Sequence, residues 1–75
     1  MTYYIEDRSE NGKRFYGTVN ADKPKEAVKK YLLYYWHDTG AETFNYVRRI
    51  KHLCKFADFK VLCTETRKRS YYVIM

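Results

Sequence analysis

Residues 22–38, DKPKEAVKKYLLYYWHD, constrain the fold more than any other stretch, because they read as helix at every level. Pro24 suits the first helical turn, where its missing N–H has no partner to lose. The cap is then Asp22 or Lys23. Asp22 is the better capping side chain, whereas Pro24 at the first helical position favours Lys23, a poor cap. Glu26 reaches Lys29 and Lys30 at helix-neighbour spacing. Gly40 stands just beyond, where a left-handed residue closes helices. At about 100° per residue, Ala27, Val28, Tyr31, Leu32, Tyr34 and Tyr35 share one face. Lys25, Glu26, Lys29, Lys30 and His37 take the other. Leu33 and Trp36 fall on the charged side, beside Lys25 and Lys29. Either a second layer covers that side, or Trp36 marks a contact surface for a partner.

Strand patterns flank this helix. Residues 2–8 and 13–20 surround Asn11-Gly12, a strong hairpin signal. A two-residue loop would pair Tyr4 with Val19 and set Glu6 and Arg8 on the face of Val19 and Phe15. A three-residue loop, Glu10-Asn11-Gly12, pairs Tyr3 with Val19 and Ile5 with Gly17. It gathers Tyr3, Ile5, Phe15 and Val19 on one face. A one-residue slip exchanges the buried and exposed faces, so the three-residue loop is expected. Gly17 then lets the helix approach closely.

Residues 58–65 and 70–75 form a second strand pair. Phe59, Val61 and Cys63 alternate with Lys60, Leu62 and Thr64, and Tyr71-Tyr72-Val73-Ile74 is aromatic and β-branched. Their connection, Thr66-Arg67-Lys68-Arg69, is basic and lacks glycine. Residues 41–56 alternate poorly as a strand. As a helix, Tyr46, Val47, Ile50, Leu53 and Cys54 form one stripe, and Thr39 with Glu42 fits a capping box. A second helix is expected, the alternative being a long basic strand that runs into a hairpin. The expected architecture is α+β: a single domain, residues 1–75. A small antiparallel sheet built from two hairpins, as ββ-α-α-ββ or ββ-α-βββ, packs on one or two helices. Tyr3, Ile5, Phe15, Val19, Val28, Tyr31, Leu32 and Tyr35 would form the core.

Composition narrows the function classes. A chain of 75 residues makes one domain with a small core. Its net charge of +6 favours polyanionic partners: nucleic acid, a nucleoprotein or an anionic surface. No apolar run approaches the roughly 20 residues of a membrane span, and no signal peptide opens the chain. Two cysteines, Cys54 and Cys63, are too few for a disulfide framework. Reduced, buried thiols in a cytoplasm are expected.

Motifs for chemistry are sparse. No P-loop, Gly-rich nucleotide loop or Ser-centred elbow occurs. His37-Asp38 reads as a polar helix end, and His52-x-Cys54 with Cys63 lacks the paired spacing of zinc sites. The reading is a non-enzyme with no catalytic residue, metal or cofactor. The basic residues, in contrast, cluster. One group is Lys23, Lys25, Lys29 and Lys30, and a second is Arg48, Arg49, Lys51 and Lys55 around His52. The third is Arg67, Lys68 and Arg69. Any one of these reads equally well as a solvated face. Three on so short a chain favour a polyanion site. The tip is the sharpest candidate, because a two-stranded ribbon can enter a major groove. Tyrosines can stack on unpaired bases, although core and sheet surface claim most of them. The rival from another class is a protein-interaction module or inhibitor anchored on Trp36, Leu33 and nearby tyrosines, since Trp, Tyr and Arg dominate interface energetics.

The segment YGTVNADKPKEAVKKYL, residues 16–32, resembles a pattern of small phage and mobile-element proteins. In those, a hairpin ends in V-x-A and a helix opens with S/T/D-x-x-E-A. Lys23 stands where such proteins often place a serine cap. The first forty residues also resemble the arm-type DNA-binding domain of phage integrases. This chain lacks that domain's third strand before the helix, so no DNA-contacting positions carry over. In size and charge the chain is similar to anti-CRISPR proteins, which inhibit host nucleoproteins. These resemblances imply a phage-type protein in a host cytoplasm, bound to nucleic acid, a nucleoprotein or a host protein.

Overall fold

Strand alternation at the N-terminus builds the first layer of the fold. In a computed structural model that describes residues 1–9, 15–39, 42–52 and 54–75, β1 (Thr2–Asp7) pairs antiparallel with β2 (Phe15–Asn20). Tyr3 lies opposite Val19 and Ile5 opposite Gly17, the register that a three-residue loop requires. Glu10-Asn11-Gly12 itself falls outside the described residues. Helix α1 (Pro24–Tyr35) follows, then a 3-10 turn (Phe44–Tyr46) and β3 (Val47–Ile50). A second 3-10 turn (Cys54–Phe56) leads into β4 (Phe59–Cys63) and β5 (Arg69–Ile74). The five strands form one antiparallel sheet in the order β2-β1-β4-β5-β3. The fold is α+β, arranged ββ-α-βββ. β1 joins the two hairpins by pairing with β4, Ile5 opposite Val61.

Among the described residues of 41–56, the expected second helix does not form. Val47 is buried opposite Ile74, while Arg48 and Arg49 take opposite faces of β3. β3 is an edge strand, so it needs only one deeply buried side chain, and its cations hide the alternation. The edge of β5 also has backbone donors and acceptors that a helix would leave unpaired. Tertiary pairing therefore overrides the helical stripe. Cys54 sits half-buried in a 3-10 turn, not in a helical stripe with Ile50, and Leu53 falls outside the described residues. Arg8 Nη2 pins that turn by donating to the carbonyls of Cys54 at 2.9 Å and Ala57 at 3.0 Å.

Helix α1 starts as Pro24 dictates. Lys23 is the cap, extended and without a side-chain capping bond, so Asp22 does not take that role. The end differs from expectation. His37, at φ 53°, supplies the left-handed residue ahead of Gly40, which lies outside the described residues. The Trp36 and Asp38 N–H groups both donate to the Leu32 carbonyl, at 3.0 and 3.2 Å. The Asp38 carboxylate then accepts the N–H groups of Glu42, Thr43 and Phe44. Asp38 thus starts the next turn in place of a Thr39–Glu42 capping box.

Ala27, Val28, Tyr31 and Leu32 pack on Tyr3, Ile5, Val47, Phe59, Val61, Cys63 and Tyr72 from one sheet face. Val19 packs half-buried at the margin, and the Phe15 side chain falls outside the described set. Tyr34 and Tyr35 do not join the core, being 74% and 54% exposed. Tyr35 instead stacks on Tyr31, ring centroids 5.2 Å apart.

This core holds phenols out of water. Tyr3, Tyr31 and Tyr72 are all buried. Burial is the main cause that raises each pKa above 10.0, and at Tyr31 the Asp7 carboxyl adds to it. The folded chain keeps phenolic protons that the unfolded chain releases. Their contribution to stability is whole below pH about 10 and falls as pH rises through and beyond that value. Alkaline titration should therefore unfold the protein. Tyrosinate absorbance of these rings should appear together with loss of circular dichroism. Full titration of all nine tyrosines with the fold intact would contradict it.

Candidate nucleic-acid interface

The β4–β5 connection is closed by its own backbone. The Cys63 N–H donates to the Lys68 carbonyl at 2.9 Å, and the Arg67 N–H to the Cys63 carbonyl at 2.8 Å. Arg67 stands at φ 64°, a conformation that glycine adopts without steric cost and arginine does not. The turn's base is tied to the N-terminus. Thr2 N–H donates to both Glu65 carboxylate oxygens, at 3.0 and 3.1 Å, and this donation holds the Glu65 carboxyl below its ordinary pKa. Thr64 N–H and Oγ1 both donate to the Thr2 carbonyl. Arg67, Lys68 and Arg69 are exposed above this anchored base.

Beside the tip lies a hollow of about 510 Å³, between the start of α1 and the β4–β5 hairpin. Arg49 reaches it from β3, and Lys68 and Arg69 reach it from the hairpin. Part of the second basic group thus meets the third. Asp22 also borders the hollow and offsets one of these charges.

The other cations are elsewhere. Arg48 takes the opposite sheet face, its Nη1 donating to the carbonyls of Asn45 at 2.6 Å and Val47 at 3.0 Å. Lys51 and Lys55 are exposed beyond β3, and the Lys55 ammonium stands 5.1 Å from the Phe56 ring centroid. Lys25 and Lys29 both lie over the Phe44 ring, at 5.1 and 5.3 Å. Lys30 donates to the Asn20 carbonyl at 2.8 Å. Lys25, Lys29 and Lys30 are therefore spread along the helix and engaged with their own neighbours.

The sheet face away from α1 has a second arrangement. Pairing sets Tyr4, Leu62 and Arg69 in one cross-strand row, and Glu6, Lys60, Tyr71 and Ile50 in the next. Arg48 lies opposite Val73 beyond them. Tyr4, Leu62, Tyr71 and Arg69 border a shallow hollow of about 290 Å³. Arg69 therefore belongs both to the tip hollow and to this face.

The residues read as protein-partner anchors separate. Leu33 is 41% exposed beside Tyr34. Trp36 is half-buried, its ring 6.1 Å from that of Phe59 and its Nε1 donating to Asp7 Oδ2 at 3.0 Å. Asp7 is the polar residue that motif reading passed over. It is wholly buried and also accepts from the Tyr31 hydroxyl at 2.5 Å and from Ser9 N–H and Oγ at 2.9 and 2.7 Å. Its partners are structural, all within the chain.

Among the described residues no group of three His, Cys, Asp or Glu side chains is placed to hold a metal ion, and no helix is long and apolar enough to cross a membrane. Comparison of the chain with protein-family models, curated proteins and solved structures finds no match.

Proposed function

We propose that this chain is a non-enzymatic nucleic-acid-binding protein of phage or mobile-element type, acting in the host cytoplasm on nucleic acid or a nucleoprotein. The observation that carries the reading is the meeting of Arg49 with Lys68 and Arg69 at one hollow, beside the exposed Arg67. Cations gathered on an anchored projection suit phosphates better than the same number scattered over a surface. Lys51, Lys55 and Arg48 extend the positive field around the β3 edge, which favours polyanion encounter without requiring contact.

The test compares charge reversal of Arg67, Lys68 and Arg69 together with reversal of Lys23 and Lys25. Nucleic-acid titrations at several salt concentrations should show a far weaker tip variant. Its salt slope should be shallower by about 0.7–0.9 for each phosphate that is no longer neutralised. The helix variant should change little, because Asp22 and Glu26 offset its lysines in the sequence. Equal affinities and slopes in both variants would move the binding surface away from the tip. Absence of wild-type binding at low salt would overturn the reading.

A protein partner is the second reading. What favours it is the broad hollow of about 900 Å³ along β2, flanked by Leu33, Tyr34 and Tyr35. Tyr34 and Leu33 are better placed than Trp36 to enter a partner, since the Trp36 N–H is already committed to Asp7.

A further inference from the structure

The sheet face that α1 leaves uncovered carries an inference that rests on the nucleic-acid reading and makes it more specific. One-sided antiparallel sheets ordinarily present polar side chains to water. Here two phenol rings, Tyr4 and Tyr71, stand with Leu62 around one shallow hollow. Ile50 and Val73 extend the same face as half-buried apolar neighbours. Among the described residues the cations on it are Arg48, Lys60 and Arg69, and the carboxylate is Glu6, which lies 3.8 Å from Lys60. Glu6 therefore offsets Lys60, and the two arginines are the charge left among these residues. Arg69 begins β5 and Arg48 pairs with Val73 near its end, so they stand about 13 Å apart along the strand, with Tyr71 at the level between them and Tyr4 in the row of Arg69.

We propose that this face binds a single nucleic-acid strand, unpaired bases stacking on Tyr4 and Tyr71 while Arg69 and Arg48 meet the phosphates. The chemistry selects the ligand. Every unpaired base offers a flat apolar face, and stacking on an aromatic ring is tolerant of sequence. In a duplex those faces are already stacked on neighbouring pairs, so a duplex can offer only its phosphates. An acidic peptide would satisfy the arginines but leave the rings without a flat partner. Arg69 borders the tip hollow as well, so the strand's backbone continues from the sheet toward Lys68 and Arg49.

The experiment titrates the full chain against a labelled oligonucleotide of about 12 nucleotides, within the usual span of single-strand sites. It is offered as single-stranded DNA, as single-stranded RNA and as duplex DNA of the same sequence. Wild type should bind one or both single strands at least roughly tenfold more tightly than the duplex. Tyr4→Ala and Tyr71→Ala should each weaken single-strand binding by roughly tenfold and leave duplex binding unchanged. Tyr4→Phe and Tyr71→Phe keep the rings and should bind as wild type does. The wild-type preference needs no variant to fold, so it stands as an independent readout. A preference between DNA and RNA identifies the source of the strand and supports the inference in either direction. Equal affinity for strand and duplex, with the tyrosine variants unchanged and tip charge reversal still harmful, would overturn the sheet-face site and leave nucleic-acid binding intact. No binding to any of the three would overturn both.

Discussion

Asp7→Ala is expected to destabilise the fold by about 2–6 kcal/mol, because at least two buried donors lose their acceptor at about 1–3 kcal/mol each. A chain of 75 residues has roughly 4–11 kcal/mol of stability in all, so this variant should lose a large share of it and unfold at a much lower urea concentration. The donors are the Tyr31 hydroxyl, Trp36 Nε1, Ser9 N–H and Ser9 Oγ. All four fit an acceptor-only group with two oxygens. Asp7→Asn should cost less, about 1–3 kcal/mol, yet not be neutral. An asparagine NH2 must face either Ser9 N–H or Trp36 Nε1, and neither donor can turn to accept. The Tyr31 and Ser9 hydroxyls can rotate, which is why the loss is partial. Urea unfolding followed by circular dichroism would measure all three proteins. Midpoints for Asp7→Ala and wild type that coincide would show that the network contributes no stability.

That network was legible in the sequence without being read. The register that turns Tyr3 and Ile5 inward must turn Asp7 inward too, because strand side chains alternate with a period of two. The same logic holds for Trp36. It follows Leu32 by four residues and so lies on the adjoining helix row, on the boundary of the apolar face and not wholly on the charged one. The β1–β2 register, the strand character of β1, β2, β4 and β5, and the start of α1 at Pro24 all followed from local pattern. The hairpin register did because only one alignment keeps apolar residues together. Residues 43–56 did not, because their strand exists to pair the open edge of β5, and pairing need leaves no mark on a short, cation-rich edge strand. Sequence proximity grouped Arg48 with Arg49, which the pleat then sent to opposite faces. Tyr4 and Tyr71 are far apart in the chain and meet one hollow only because β1 pairs with β4 and β4 with β5. A long-range pairing of that kind cannot be read from a local window.

Phe59→Ala is expected to cost about 3–5 kcal/mol, an effect of the same order as loss of Asp7. Phe59 is fully buried on the central strand β4, between Asp7 and Tyr72 in its cross-strand row. The rings of Tyr31 and Trp36 lie 6.0 and 6.1 Å from its own, and these are two of the groups that donate to Asp7. Truncation would open a cavity beneath those donors and let them drift from the carboxylate. Phe59→Leu fills most of the space and should cost clearly less, since volume-conserving swaps are tolerated best. Because Phe59 and Asp7 share Tyr31 and Trp36, their effects should not add. A double-mutant cycle on the milder pair, Asp7→Asn and Phe59→Leu, should return a coupling of at least about 0.5 kcal/mol. Strict additivity would mean that ring packing and hydrogen bonding hold the helix end independently. Phe59 faces α1, away from Tyr4, Lys60 and Tyr71. The folded fraction of Phe59→Leu should therefore bind nucleic acid as wild type does, and a loss of affinity beyond the unfolded fraction would tie the core to the open face.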